Sequence, residues 1–203
     1  NLPQLRITSN DPKSLELAKV FGAAVTVTAA SREGSFRDSC FKLGKTVLLF
    51  EGGEALRLEA QSIRTAYRGI FSVMRELGML MPKKRAERHH NTTIFSKKSY
   101  WVRAEVGGIF TPLTPLGTMV EEGAELGFIA DPMGSKETVI LAPRQGILIG
   151  RTNEAIADEG DALFHVAMLS DIESAQDKYL EHHLEDESEE DHAVPYQQFD
   201  SFS

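Results

Sequence analysis

The chain has 203 residues, of which 41% are hydrophobic, so it is long enough for one large or two small domains. Most of the formal net charge of -8 comes from residues 181–191, where seven of eleven side chains are acidic. No broad basic surface is expected, which argues against a nucleic acid as partner. No apolar run reaches the roughly 20 residues of a membrane span. The single cysteine, Cys40, predicts a buried small hydrophobe and a reducing, cytoplasmic location.

The first 81 residues predict alternating helices and strands, and therefore an α/β unit. Asp11 predicts the start of a first helix and Ser35 the start of a second, because both side chains can accept a hydrogen bond from the first turn. Residues 23–29 between them predict a strand. The run 46–50 is apolar without alternation, which predicts a strand buried on both faces of a parallel sheet.

A long helix is predicted over residues 55–80, followed by a polar linker over 82–99. Within the predicted helix 55–80, apolar side chains recur every three or four residues, which predicts a single apolar stripe facing the core. The stripe comprises Leu56, Ile63, Tyr67, Ile70, Met74 and Leu77.

Residues 100–168 predict a small all-β domain, a β-barrel-sandwich, because they are rich in glycine, proline and β-formers and show no helical period. The segment also repeats itself: 119–129 resembles 155–166, each with an acidic pair and a glycine before a strand. Two related halves predict pseudo-twofold symmetry. Residues 169–203 predict a short helix to about Leu180 and then a disordered acidic tail.

These motifs, in this order, resemble the succinylglutamate desuccinylase/aspartoacylase family. The resemblance covers roughly residues 1–168. It rests on Gly34-Ser-Phe-Arg37, Gly44-Lys-Thr-Val-Leu-Leu-Phe-Glu51-Gly-Gly53, Gly69-Ile through Leu77-Gly-Met-Leu80, Trp101-Val-Arg-Ala104, Gly107-Gly-Ile-Phe-Thr-Pro112, Ala142-Pro143 with Gly146, and Gly160-Asp-Ala-Leu163.

The resemblance implies the C-terminal part of a zinc-carboxypeptidase-like sheet with helices, parallel or mixed, followed by the β-domain. It also implies a zinc-dependent hydrolase that cleaves the amide bond of an N-acyl amino acid or a similar small molecule. The family holds its zinc with a His-x-x-Glu pair and a later histidine, and no His-x-x-Glu occurs within residues 1–168, the part that the resemblance covers. We therefore expect the zinc ligands upstream of Asn1 and no activity from these residues alone.

Glu51 is the candidate catalytic carboxylate. It follows the predicted strand 46–50, and ligands of α/β sheets bind at the carboxyl ends of the strands. In the resembled family a glutamate at this place takes a proton from water and passes it to the leaving nitrogen. The alternative is that Glu51 only caps the following helix. Glu54, nearer that helix, is assigned the capping role.

Arg37 is the candidate substrate-binding residue, since the resemblance places an arginine there against the acyl or carboxylate part of the substrate and a guanidinium has forked donors for it. The alternative is a surface arginine on a helix. Arg6 is interpreted as structural, and His165 as a strand residue with its partner satisfied. Nothing in the sequence orders His182.

A second hypothesis is a non-catalytic binding or carrier module built on the β-domain. The segment 131–143 is similar to the hairpin of lipoyl and biotinyl carriers, although Lys136 lacks their flanking methionines. A third is a catalytically inactive relative used for interaction. A small-molecule amide is the expected partner, without nucleic acid or membrane, and a homo-oligomer is possible.

Overall fold

The computed structural model describes residues 1–9, 11–82 and 92–190, with side chains as far as residue 182. This part of the chain forms four helices and twelve strands. The helices are α1 Pro12–Phe21, α2 Phe36–Lys42, α3 Ala60–Glu76 and α4 Ile172–Glu190. The strands are β1 Gln4–Thr8, β2 Val25–Ala29, β3 Leu49–Glu51, β4 Ile94–Ser96, β5 Ser99–Arg103, β6 Gly108–Pro112, β7 Met119–Val120, β8 Glu125–Ala130, β9 Glu137–Leu141, β10 Gly146–Arg151, β11 Ile156–Ala157 and β12 Ala162–Met168.

The first sheet is mixed, with strand order β3-β1-β2-β4. β2 is parallel to both β1 and β4, whereas β3 runs antiparallel to β1 at the edge. The prediction of a doubly buried parallel strand over 46–50 is therefore wrong. The strand begins only at Leu49, which is 39% exposed. A short apolar run does not distinguish an interior strand from a loop that enters an edge strand.

The first two helices begin where the sequence predicts. Asp11 accepts a hydrogen bond from the backbone of Lys13, and Ser35 accepts one from the backbone of Asp38. The packing of α2 differs from the expectation, because none of its residues is buried and Phe36 is 82% exposed. Cys40 is accordingly half-buried and not a core residue.

The long helix α3 packs on the core through a different face from the predicted apolar stripe. Its buried residues are the small ones, Ser62, Thr65 and Gly69, which let the helix approach α1 closely. The apolar stripe points outward, and Ile63 and Ile70 are 46% and 52% exposed. A contiguous exposed apolar face usually marks an interaction surface.

Residues 99–168 form two four-stranded antiparallel sheets that enclose one core. Their strand orders are β5-β12-β10-β7 and β11-β6-β8-β9. The sequence repeat has a structural counterpart. The chain passes from one sheet to the other between β7 and β8, and it returns to the first of these sheets between β11 and β12. Gly123 and Gly160 occupy the two equivalent turns, both at positive φ. The description as a barrel-sandwich stays a prediction.

The first sheet and the β10–β12 layer share a second core. It joins Val25 and Val27 of β2 to Ile147 and Ile149 of β10. Backbone pairing reinforces the junction, since the amide of Leu2 donates to the carbonyl of Ile149 at 3.0 Å. Side chains on this face of the first sheet are therefore brought against strands more than a hundred residues later.

Two boundaries differ from the expectation. Residues 94–96, assigned to the linker 82–99, form β4 and extend the first sheet. Residues 181–190, assigned to the disordered tail, continue α4, and His182 is ordered by a 3.0 Å contact of its Nε2 with the carbonyl of Gly22. The other domain boundaries stay predictions. Residues 83–91 and 191–203 lie outside the described part.

The close approach of α3 to α1 can be tested with Gly69→Ala. A methyl group there would overlap the ring of Phe21. Overpacking lowers the free energy of unfolding by about 1–3 kcal/mol, and the better helix propensity of alanine raises it by about 1 kcal/mol. We expect a net loss of about 1 kcal/mol and a melting temperature lower by about 2–4 °C for a chain of this size.

The matched control is Ile70→Ala, one residue further along, on the exposed stripe. We expect a change within about 0.5 kcal/mol. Thermal unfolding of the 203-residue chain, followed by circular dichroism, measures both. A stabilised Gly69→Ala together with a strongly destabilised Ile70→Ala would reverse the assignment of the two faces.

Candidate functional site

Glu51 ends β3 opposite Gln4, the first residue of β1. Side chains alternate along a strand, so Gln4, Arg6 and Glu51 share one face of the sheet. The other face carries Leu5 and Phe50, which pack in the core beneath the helices. Because β3 is antiparallel to β1, Glu51 does not lie at the common carboxyl edge expected of a parallel sheet. It lies on the face turned toward the later strands.

Arg6 holds one oxygen of the Glu51 carboxylate. Its Nε lies 3.1 Å from Oε1, with the two side chains 23% and 28% exposed. The buried Nε forms no hydrogen bond, so the contact is an ion pair. Gln4 directs its amide nitrogen to the second oxygen at 3.5 Å. The carboxylate is therefore oriented on both sides while remaining accessible.

His165 of β12 approaches Arg6 from the opposite side. Arg6 Nη2 and His165 Nδ1 are 3.2 Å apart. A guanidinium can only donate, so Nδ1 must be the acceptor and the proton of the neutral ring lies on Nε2. The ring is 2% exposed and stacks on Trp101 at 4.3 Å. Burial, and secondly the charge of Arg6, lowers the pKa of His165 to about 4.

Arg37, on the first turn of α2, belongs to the same electrostatic cluster. Burial lowers its pKa, as does the positive charge of Arg6, while Glu51 opposes both. Its Nη2 donates to the carbonyl of Ala30 at 3.2 Å. Within the described residues its buried Nη1 has no hydrogen-bond partner. Two cations thus surround one carboxylate, and one donor is left for another group.

Glu54 does not cap α3, contrary to the prediction. The helix starts at Ala60, and Glu54 pairs with Arg57 at 3.2 Å in the intervening loop. The capping alternative for Glu51 is wrong for the same reason, since eight residues separate it from Ala60, the first residue of the helix. Gly53, at φ +75°, turns the chain away directly after the site.

Sequence reasoning brought Glu51 and Arg37 into one site but missed the contacts of Arg6 and His165. The alternation Gln4-Leu5-Arg6 in a β-prone segment is the available signal for polar side chains on one face of a strand. No comparable signal pairs Arg6 with His165, because that contact joins two strands 159 residues apart.

The side chains that the structure describes do not form a zinc site. Among the described side chains, no group of three or more His, Cys, Asp or Glu residues could hold a metal ion. Glu51 is committed to Arg6, and His165 turns its Nδ1 to the same cation. Any metal of this site would therefore take its ligands from outside the described residues.

The carrier hypothesis receives no support. Lys136 is exposed after the turn that joins β8 to β9. The turn is organised by Asp131, which accepts hydrogen bonds from the backbones of Met133 and Ser135. This network explains the sequence of the turn without a modified lysine.

Comparison with solved structures defines the fold. A succinylglutamate desuccinylase/aspartoacylase from Rhodobacter sphaeroides matches with a TM-score of 0.71 and 23% identity, over 84% of this chain and 55% of that one. The product-bound ectoine utilization protein EutE (DoeB) from Ruegeria pomeroyi matches with 0.72 and 21%, over 83% and 54%. An aspartoacylase family protein from Mesorhizobium loti matches with 0.62 and 21%, over 83% and 58%.

The chain therefore has the fold of the C-terminal portion of succinylglutamate desuccinylase/aspartoacylase structures, which confirms the predicted resemblance at the level of the fold. It spans about half the length of the structures it matches. No protein-family model and no curated protein sequence matches it significantly. In the part of the chain that the structure describes, no helix is long and apolar enough to cross a membrane.

The low pKa of His165 predicts a pH dependence of stability. The folded value near 4 lies below the 6.5 of a free imidazole, so the unfolded chain binds more protons between these values. Stability is expected to fall as the pH drops through this window, by an amount on the order of 2–3 kcal/mol. Urea unfolding between pH 4 and 7 measures it.

His165→Asn is the control, because it keeps an acceptor near Nδ1 and does not titrate. Its stability should depend less on pH in the same window, while contributions from carboxylates remain in both proteins. Identical slopes for the two proteins, or a His165 ring that titrates near 6.5 by NMR, would contradict the environment described above.

Proposed function

We propose that the chain is part of a zinc-dependent hydrolase that cleaves the amide bond of an N-acyl amino acid or a similar small molecule. The observation that carries the proposal is the accessible Glu51 carboxylate, oriented by Arg6 and Gln4 and accompanied by Arg37. It occurs in the fold of structures described as desuccinylases and aspartoacylases.

Glu51 has the chemistry of a general base that becomes a general acid. As a carboxylate it accepts a proton from the attacking water while the water oxygen bonds to the amide carbonyl carbon. The carboxylic acid then returns this proton to the nitrogen as the carbon–nitrogen bond breaks, which regenerates the carboxylate. The position suits this role because Glu51 is 28% exposed, so its carboxylate remains accessible while Arg6 and Gln4 orient it.

Arg37 is assigned to binding an anionic group of the substrate. Arg6, Arg37 and Glu51 together carry one excess positive charge, which an anionic substrate group would balance. The unpartnered Nη1 is a donor for that group. A carboxylate is a matching acceptor for this donor, because a hydrogen bond between a guanidinium and a carboxylate is roughly twice as strong as one between neutral groups.

We place the zinc ligands upstream of Asn1, as the family resemblance implies, and the described residues hold no set that could bind the ion. The outward apolar stripe of α3 supports a further segment of structure against this face, as does the span of about half the similar structures. On this proposal the 203 residues alone are inactive. A cytoplasmic location and a homo-oligomer stay predictions.

Glu51→Gln in the whole polypeptide tests the catalytic assignment. The amide has nearly the same shape but cannot accept the proton, so we expect kcat to fall by about 10²- to 10⁴-fold. Hydrolysis of a panel of N-acetyl- and N-succinyl-amino acids measures the rate, and metal analysis of the purified variant checks that zinc content is unchanged.

Glu54→Gln is the matched control, with the same chemical change three residues away on a carboxylate that forms an ion pair with Arg57 in the loop. It should retain near-wild-type turnover. Glu51→Gln with full activity, or an equal loss in both variants, would rule out the specific role of Glu51.

A further inference from the structure

Arg6 is the only residue in the described cluster that contacts both the Glu51 carboxylate and a side chain of the later β-sheets. Its Nε faces Glu51 Oε1 at 3.1 Å, and its Nη2 faces His165 Nδ1 at 3.2 Å. One planar guanidinium thus joins the edge strand β3 to β12, although β3 itself is only three residues long.

The two ends of this link differ in burial and in their position within a sheet. β12 lies between β5 and β10, and the His165 ring is 2% exposed and stacked on Trp101 with an interplanar angle of 8°. Glu51 ends an edge strand and is half-buried. The buried imidazole therefore holds the guanidinium of Arg6, and the guanidinium in turn orients the carboxylate of Glu51.

We propose that Arg6 is a positioning residue for Glu51 and that His165 is its anchor, so that the β12 layer sets the orientation of the carboxylate. This inference rests on the proposed function of Glu51. The guanidinium is suited to it, because its donors lie in one rigid plane and reach both partners at once. A lysine would keep the charge but offers a single ammonium centre, which would not span the two contacts.

The first test is a double-mutant cycle in the whole polypeptide, with the same panel of N-acetyl- and N-succinyl-amino acids. Arg6→Lys should lower kcat by about 10- to 100-fold, with little change in KM, because it displaces a proton-transfer group. In the Glu51→Gln background the same substitution should have no further effect on kcat, since there is no carboxylate left to position.

The cycle separates failure of the inference from failure of the proposed function. If Arg6→Lys lowers kcat equally in both backgrounds, Arg6 has a structural or substrate-binding role and the inference is wrong. If Glu51→Gln alone leaves turnover intact, the proposed function itself is wrong. Melting temperatures of all four proteins identify losses that come from unfolding.

The anchor is tested with two substitutions that divide the properties of the imidazole. His165→Phe keeps an aromatic ring against Trp101 but removes the acceptor for Arg6. His165→Asn keeps an acceptor near Nδ1 but removes the stacked ring. We expect His165→Phe to lower kcat about 10-fold, which corresponds to the loss of one hydrogen bond to a charged group. We expect His165→Asn to retain most of the wild-type kcat. The opposite order would assign the effect to stacking.

A spectroscopic test uses the 203-residue chain and needs no turnover. With ¹³C-labelled glutamate, the carboxyl resonance of Glu51, assigned by its loss in Glu51→Gln, should shift in Arg6→Lys and in His165→Phe. It should remain close to the wild-type position in His165→Asn. An unchanged Glu51 resonance in His165→Phe would overturn the proposed link, whatever the kinetic result.

Discussion

The Arg6–Glu51 ion pair lies where the first sheet meets the later β-sheets, and the site depends on that meeting. β1 presents Leu5 to the helices and Gln4 and Arg6 to the opposite face, so one short strand serves a core and a polar cluster at once. The second core behind it, with Val27 against Ile149, fixes the distance at which His165 reaches Arg6. The fold thereby brings charged groups together that the sequence separates widely.

The same architecture leaves one large apolar face without cover from the described residues. α3 packs through small residues, and its apolar stripe faces outward with Ile63 and Ile70 about half exposed. Burying such side chains stabilises a protein by about 1.5–3 kcal/mol each, which gives a strong reason for a further segment or partner there.

Local signals predicted much of the fold. The capping side chains of Asp11 and Ser35 located two helix starts, and the repeated acidic pair with Gly123 and Gly160 located two equivalent turns. The incorrect predictions concern which apolar side chains are buried. The apolar stripe on α3 and the apolar run before Glu51 indicate side chains that favour burial. They do not indicate which surface these side chains pack against. The role of Arg6 was missed because its partner is distant in sequence, and no periodicity encodes such a contact.

The central claim is that Glu51 works beside a zinc ion whose ligands lie outside these residues. A crystal structure of the whole polypeptide with zinc, with the ion located by anomalous scattering, tests it most directly. The account predicts zinc held by residues upstream of Asn1, with Glu51 close enough to hydrogen-bond to a water on the ion and still paired with Arg6. Zinc bound elsewhere, with Glu51 remote from it, would contradict the account.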